Sequence, residues 1–554
     1  MRGEIIQVLK KALEKHIKIK EKEIGEILEI PPSLKMGDYA FPCFFLAKKL
    51  KQNPNKIALE IKEKIINPPN IESIQTSGPY INFFINREKM AENIIKKIIK
   101  QKENFGKENL GQGQKALVEH TSINPNASPH VGRARNAIIG DSIVRILNFL
   151  NFKTEVHYYV NDVSKQIAML VLAKADNLKF ESMLKKYVDI SAKVKKSKKL
   201  EKQVFELLLK FEKGDKKIKD KFKKITNISV KGQEKVLNEM GINYDFFDYE
   251  SEYLKDANKI LSKLEKTKKL FTDKDQRKVL DLKNTSIENQ MKSPVLVLTR
   301  SDGTGLYPLR DISYTIEKMK RAKKNIIILG EDQKLYFQQI KQTLSFLNIE
   351  SPQAVHYSFI LLSKKGKSKK MSTRKGDVVL LEDFLKEAIK KAKKEIDKRK
   401  TRGDAKKVGI GAVKYAILKN NNNKTIHFDL DEALNFEGDT GPYILYSYAR
   451  AGSILRKTKN KNDFNISKLE EKEFELVKKI SQFPGIVLDS YKNFNPAIIA
   501  NYSYQLAKIF NEFYHACPVI NSGQESFRLA LVKSFRQVLK NALHLLGIDT
   551  IEKM

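Results

Sequence analysis

Apolar residues recur at helical spacing through "RARNAIIGDSIVRILNFLNF", residues 133–152, where Ile139, Ile143, Leu147 and Leu150 fall on one stripe. Short apolar runs flank it. "KALVEHTS" precedes it and "KTEVHYYV" follows it, and both read as strands. A second helical pattern, "NDVSKQIAMLVLAKA", comes next. Strand, helix, strand, helix in this order predicts a parallel sheet with crossover helices. Three later runs, "SPVLVLTR", "KNIIILG" and "HYSFILL", predict that the strands restart.

The flanking regions carry other patterns. Residues 1–105 predict a small α/β domain. An amphipathic helix opens it, a further helix stops at Pro54, and an alternating strand follows the Gly78-Pro79 turn. "KENFGKENLGQGQK" is Gly-rich and polar, as a linker is. Residues 185–285 are strongly charged and mostly helical in pattern, which predicts an insertion between two halves of the sheet domain. Their lysine runs read as solvated helix faces. From about 405 onward only helical patterns occur, without repeats. The expected division is therefore 1–105, 106–405 with its helical insertion at about 185–285, and an all-α bundle at 406–554.

Composition sharpens this picture. The chain has 554 residues, long enough for several domains, and 41% of them are hydrophobic. Lys and Arg number 104 against 66 Asp and Glu, a net charge of +38. Such a surplus points to a polyanionic partner, most often nucleic acid, although a general abundance of lysine inflates it. Cys43 and Cys517 are the two cysteines and form no CxxC, which disfavours a disulfide framework or a thiolate zinc site and fits a reducing, cytoplasmic location. No apolar run approaches the roughly 18 residues of a membrane span, and the N-terminal helix lacks the apolar core of a signal peptide.

The chemistry concentrates in "EHTSINPNASPHVGRARNAIIGD". The first strand ends at Thr121 and the helix begins near Gly132. A helix N-terminus offers unpaired N–H groups and a positive dipole end. His130 and Arg133 add donors on the same turn, and Gly132 leaves room for a ring or phosphate to approach. Neither GxxxxGK[ST] nor GxGxxG is present, so the turn suits a nucleotide without being either of those loops.

"HVGR" after "NP" resembles the HIGH motif of class I aminoacyl-tRNA synthetases, and "KKMSTRKGDVVLLEDFL" resembles their KMSKS loop. "DGTGLYPLRDISY", "FEGDTGPYILYSYARAGSILRK", "MGDYAFPCFFLAKKL" and "VLKNALHLLGIDTIEKM" narrow the resemblance to the arginyl branch, from one end of the chain to the other. The resemblance implies a Rossmann-type catalytic domain, an N-terminal domain that meets the D-loop corner of tRNA, and a C-terminal helical domain that binds the anticodon. It implies ligation of L-arginine to its tRNA with ATP and Mg²⁺ through an arginyl-adenylate, and names no carboxylate cluster for the metal. Arginine presents a planar fork of five donors, best met by carboxylates. A site built for that fork rejects analogues that leave its buried acceptors unpaired.

Carried over residue by residue, the arginine site falls on Glu119, Asn124, Tyr307, Asp311 and Gln333, with Asp311 facing the guanidinium and Glu119 and Asn124 holding the α-ammonium and backbone end. The catalytic set is His130, Gly132, Arg133, Lys370, Met371, Ser372 and Arg374. ATP is expected on Asn124, His130, Gly132, Arg133, Lys370 and Lys375. In the C-terminal helices Tyr443, Tyr446 and Tyr448 interleave with Arg450, Arg456 and Lys457, and Tyr443, Tyr448, Arg450 and Arg456 are the expected tRNA contacts. A monomer is expected.

Three departures stand out. Arg133 replaces the second HIGH histidine, Thr373 replaces the second KMSKS lysine, and Tyr336 stands where many relatives have histidine, with no catalytic role placed on it. Arg133 and Thr373 also leave open a catalytically inactive RNA-binding relative, against which the complete acidic pocket argues. A synthetase for cysteine or glutamate is the other alternative. It is disfavoured by the missing zinc-type cysteines and by the acidic pocket.

Overall fold

A computed structural model describes residues 2–14, 17–33, 36–68, 70–364, 367–369, 379–458 and 463–554. The chain forms two compact units. The first comprises Met1–Lys102, Asn460–Ser481 and Glu512–Ser534, and the second comprises Glu103–Lys459, Gln482–Asn511 and Phe535–Met554.

In the first unit, strands β1 (Tyr39–Pro42), β2 (Ile71–Ser77) and β3 (Tyr80–Ile85) form an antiparallel sheet with β3 at its centre. The turn between β2 and β3 uses Gly78 at a φ of 56°, which glycine adopts without strain. Ile5 and Leu9 of the first helix join Ile57, Ile61, Phe41 and Phe83 in one core. Pro54 starts a helix instead of ending one. The preceding helix stops at Leu50, and Asn53 caps the next by accepting from the Asn55 N–H. Proline fits a first helical turn because its missing N–H has no partner there anyway.

The second unit holds β4 (Lys115–Thr121), β5 (Lys153–Val160), β6 (Phe246–Tyr249), β7 (Leu270–Thr272), β8 (Lys278–Asp281), β9 (Val295–Val297), β10 (Lys324–Gly330), β11 (Gln353–Tyr357), β12 (Ile360–Lys364), β13 (Lys367–Lys369) and β14 (Ile426–Phe428). Five of them make a parallel sheet in the order β11-β10-β4-β5-β6. β4 is buried from Ala116 to Thr121, as a strand covered on both faces must be. The helix Val131–Phe149 lies so close to it that a Cβ on Gly140 would sit 2.1 Å from the His120 Cβ.

Three further expectations need correction. The helical insertion ends earlier than the charge pattern suggests. Helices Met183–Lys196, Lys198–Glu212 and Lys216–Asn238 pack around Tyr187, Val204 and Phe222, but β6 then joins the main sheet. "SPVLVLTR" does form a strand, β9, yet it belongs to a separate antiparallel sheet with β7 and β8. The last 150 or so residues are not purely helical, because β14 pairs in parallel with β12. Strands of three or four residues are too short to show a period. Among the described residues, no helix is long and apolar enough to cross a membrane.

Candidate active site

The chain passes from β4 to β5 and β6 on one side of the sheet, and from β10 to β11 on the other. Such a reversal opens a crevice at the carboxyl ends of the central strands. A cavity of about 590 Å³ lies there, lined by the residues that follow β4, β5 and β10 and by one face of the helix Tyr307–Arg321.

One part of the lining is the N-terminus of Val131–Phe149. His130 is its N-cap residue, yet its side chain caps nothing and its Nδ1 is buried without a partner. Burial, and then the nearby Arg133, lower its pKa to about 4, so the ring is neutral at physiological pH. Gly132 and Arg133 follow on the first turn, where the helix dipole favours an anion, and both line the cavity. The second motif flanks the same rim. Val131 N–H donates to the Val379 carbonyl at 3.2 Å, Leu381 N–H donates to the Pro129 carbonyl at 2.8 Å, and Ile360 lines the cavity. Lys370, Met371, Ser372, Thr373, Arg374 and Lys375 lie outside the described residues.

The other part is acidic. Tyr307, Asp311, Tyr314 and Lys318 follow one another at helical spacing and share a face. Asp311 accepts hydrogen bonds from the Tyr159 hydroxyl on Oδ1 at 3.0 Å and from the Tyr336 hydroxyl on Oδ2 at 2.5 Å. Burial pushes the Asp311 carboxyl above the usual range, and the two phenols hold it down. Glu250, just after β6, is 1% exposed, and burial pushes it up to about 8. Arg310 Nε forms a buried ion pair with its Oε1 at 2.6 Å, which leaves Oε2 without a partner. Asn161 Oδ1 is likewise buried, unpaired and part of a lining residue.

Glu119 lines the cavity but is already engaged. Lys318 Nζ forms a buried ion pair with it and lies 4.3 Å from the centroid of the Tyr314 ring. The protein's own ammonium therefore sits where an α-ammonium was expected. Asn124 and Gln333 line the same cavity as the other expected arginine ligands. Behind the loop, Gln233 of the helix Lys216–Asn238 donates to the Asn124 and Ala127 carbonyls at 3.0 and 2.8 Å and accepts from the Tyr158 hydroxyl at 2.6 Å. The helical insertion thus braces the turn between β4 and the helix Val131–Phe149.

Sequence reasoning missed Glu250, Lys318, Tyr159 and Asn161, and it set Tyr336 aside. Lys318 had a signal, since it lies on the helical face that carries Asp311. Glu250 had none, because its place depends on β6.

The expected RNA contacts are scattered. Tyr448 is 1% exposed and lies under the Arg536 guanidinium at 4.4 Å, so it offers no face to a base and belongs to the core. Tyr443 accepts from Asn511 Nδ2 at 2.9 Å, and Arg450 donates to Asn511 Oδ1 at 2.7 Å and to the Tyr446 hydroxyl at 3.2 Å. Arg456 is exposed and stands 3.7 Å from Glu552. Among the described residues, no group of three His, Cys, Asp or Glu side chains is placed to hold a metal ion.

Three family models match the chain. They are the catalytic domain of class I tRNA synthetases (R) over residues 94–430, the DALR anticodon binding domain over 444–554, and the arginyl tRNA synthetase N terminal domain over 3–85. The arginine–tRNA ligase of Methanocaldococcus jannaschii is 36% identical over the full length of both chains, and that of Clostridium perfringens is 34% identical over 98% of each. The Thermus thermophilus arginyl-tRNA synthetase structure matches with a TM-score of 0.80 at 25% identity, covering all of both chains. The Plasmodium falciparum arginyl-tRNA synthetase structure matches with a TM-score of 0.78 at 24% identity, covering 100% of this chain and 99% of that one.

Proposed function

The chain belongs to the arginyl-tRNA synthetase family, and from that premise we propose how its own residues divide the work. The protein is an enzyme that uses ATP to ligate L-arginine to tRNA for protein synthesis. In the proposed first step the arginine carboxylate attacks the α-phosphate of ATP, forming arginyl-adenylate and releasing pyrophosphate. In the second, a hydroxyl of the terminal adenosine of tRNA attacks the adenylate carbonyl, and AMP leaves.

Asp311 takes the guanidinium, with Glu250 as a second acceptor and Tyr307 at the exposed rim. Asn124 and Gln333 hold the α-amino and carboxyl end. Neutral His130, the Gly132 backbone and Arg133 receive the ATP phosphates at the helix N-terminus. Lys370, Met371, Ser372, Arg374 and Lys375 form the loop that clamps the departing pyrophosphate. Mg²⁺ would accompany the ATP phosphates and neutralise their charge. Residues 1–105 serve the D-loop corner, 106–405 catalysis, and 406–554 the anticodon, in which Arg456 has the exposure to meet phosphate and Tyr443 and Arg450 frame the surface. The enzyme works as a cytoplasmic monomer.

One observation carries this reading: two carboxylates, half-buried Asp311 and buried Glu250, share a cavity with His130 and Arg133. A single cationic fork meets the carboxylates while a triphosphate meets the helix end. Thermal melts with arginine, lysine, glutamate and cysteine test it, because a ligand that binds only the native state raises the melting temperature. Arginine alone is expected to raise it. No response to arginine favours the inactive RNA-binding alternative, and a response to glutamate or cysteine favours a different amino acid.

A further inference from the structure

We propose that Tyr159 and Tyr336 are positioning residues that fix the Asp311 carboxylate as a flat, two-oxygen receptor, and that this clamp sets the preference for arginine over lysine. The proposal rests on the reading that Asp311 meets the guanidinium.

The geometry has three parts. The phenols come from different elements, Tyr159 from β5 and Tyr336 from the helix Lys334–Phe346, and each bonds a different oxygen. Two donors on two oxygens stop rotation about the Cβ–Cγ bond. Each oxygen has two lone pairs and spends one on a phenol, which leaves one per oxygen for a bidentate partner. The phenols are themselves held. Tyr159 stacks on Tyr314 with ring centroids 4.6 Å apart at 20°, and Tyr336 packs on Tyr307 at 5.3 Å. Tyr314 in turn donates to Asp248 at 2.8 Å.

A guanidinium must lie coplanar with the carboxylate to use both oxygens, so a fixed plane favours it. A lysine ammonium bonds as a point charge and gains nothing from that plane. The phenols also favour the ionised form of Asp311 against its burial. Other charges facing it are Arg310 from its own helix, Glu119 with Lys318 from β4 and the helix, and Glu250 from the turn after β6. Asp332 lines the same cavity.

Tyr159→Phe and Tyr336→Phe each remove one hydroxyl and keep the ring, so packing persists. Charging kinetics on the full chain, with Asp311→Asn in parallel, test the clamp. Each Phe variant is expected to raise the KM for arginine by about tenfold, as loss of one hydrogen bond to a charged group does. The KM for ATP stays unchanged, and the arginine-to-lysine charging ratio falls by a similar factor. The acid limb of kcat/KM for arginine moves to higher pH when either hydroxyl is removed, because each hydrogen bond favours the ionised carboxylate. If both Phe variants keep the parental KM and charging ratio while Asp311→Asn loses arginine, the clamp is overturned and the Asp311 reading stands. An acid limb that stays in place in both Phe variants belongs to Glu250 and also overturns it. If Asp311→Asn keeps the arginine KM, the underlying reading falls, and the clamp with it.

Discussion

Two helices of this molecule are written in a similar alphabet and end up in opposite environments. Tyr307–Arg321 alternates tyrosines with Asp311 and Lys318, and Gly441–Arg456 alternates tyrosines with Arg450 and Arg456. In the first, the tyrosine-bearing face overhangs the strand ends, where a parallel sheet leaves a crevice. In the second, Tyr448 points into a packed interior and Tyr443 and Arg450 are tied to Asn511. Aromatic and charged residues at helical spacing therefore do not announce a binding face. What lies opposite decides, and that is a property of the fold.

The largest effect is expected from removing one charge from the crevice. Lys318→Met strands Glu119 as a buried, uncompensated carboxylate. It is expected to cost about 3–5 kcal/mol in denaturant unfolding, and a second change, Glu119→Gln, should recover most of the loss. A lone Lys318→Met that is as stable as the parent would mean that water reaches Glu119.

In the packed helix the ring itself carries stability. Tyr448→Ala is expected to lose about 3 kcal/mol through the cavity it leaves, while the folded fraction binds tRNA with parental affinity. Weaker tRNA binding without a loss of stability would return Tyr448 to the RNA surface. Its counterpart, Tyr307→Ala, is expected to do the reverse. Tyr307 is 54% exposed, so the melting temperature should barely move while the KM for arginine rises about tenfold.

Acid should weaken the crevice side through two histidines. Burial holds His120 and His130 at about 4 in the folded chain, below the ordinary value of 6.5. Between those values the unfolded chain binds protons that the native chain does not, so stability rises with pH across this window and falls as pH drops through it. Denaturation midpoints at pH 7, 6 and 5 check the sign, and a flat profile would place both rings in contact with solvent. The smallest effect belongs to the surface. Arg456→Ala should change stability by no more than about 0.5 kcal/mol. It should also lower the salt slope of tRNA binding by about one ion, as loss of one phosphate contact does.

The near wall of the site is legible because it is local. β4, the turn with His130 and Arg133, and the helix behind them form one continuous stretch whose apolar spacing and glycine mark each boundary. Tyr307 and Asp311 are legible through the resemblance of "LYPLRDI", and Lys318 through the helical period that continues it. Glu250 is not legible. It reaches the cavity only because the four residues of β6 pair with β5, after a helical insertion whose charge hides the strand. Tyr159 and Tyr336 are ordinary strand and helix residues until their hydroxyls meet on Asp311. The same short-strand limit hides β14. Tyr448 was misplaced because burial inside a helical bundle leaves no mark on the order of residues.

The proposed role of Asp311, to read the guanidinium in the crevice, underlies the other assignments. Arginine-dependent charging of unfractionated tRNA, with ATP and Mg²⁺, by the parent and by Asp311→Asn tests it most directly. Charging by the parent is expected, with a loss of at least about a thousandfold in kcat/KM for arginine in the variant, since a site built around paired polar groups discriminates on that scale. Equal charging by both proteins would contradict it and move arginine recognition to another residue.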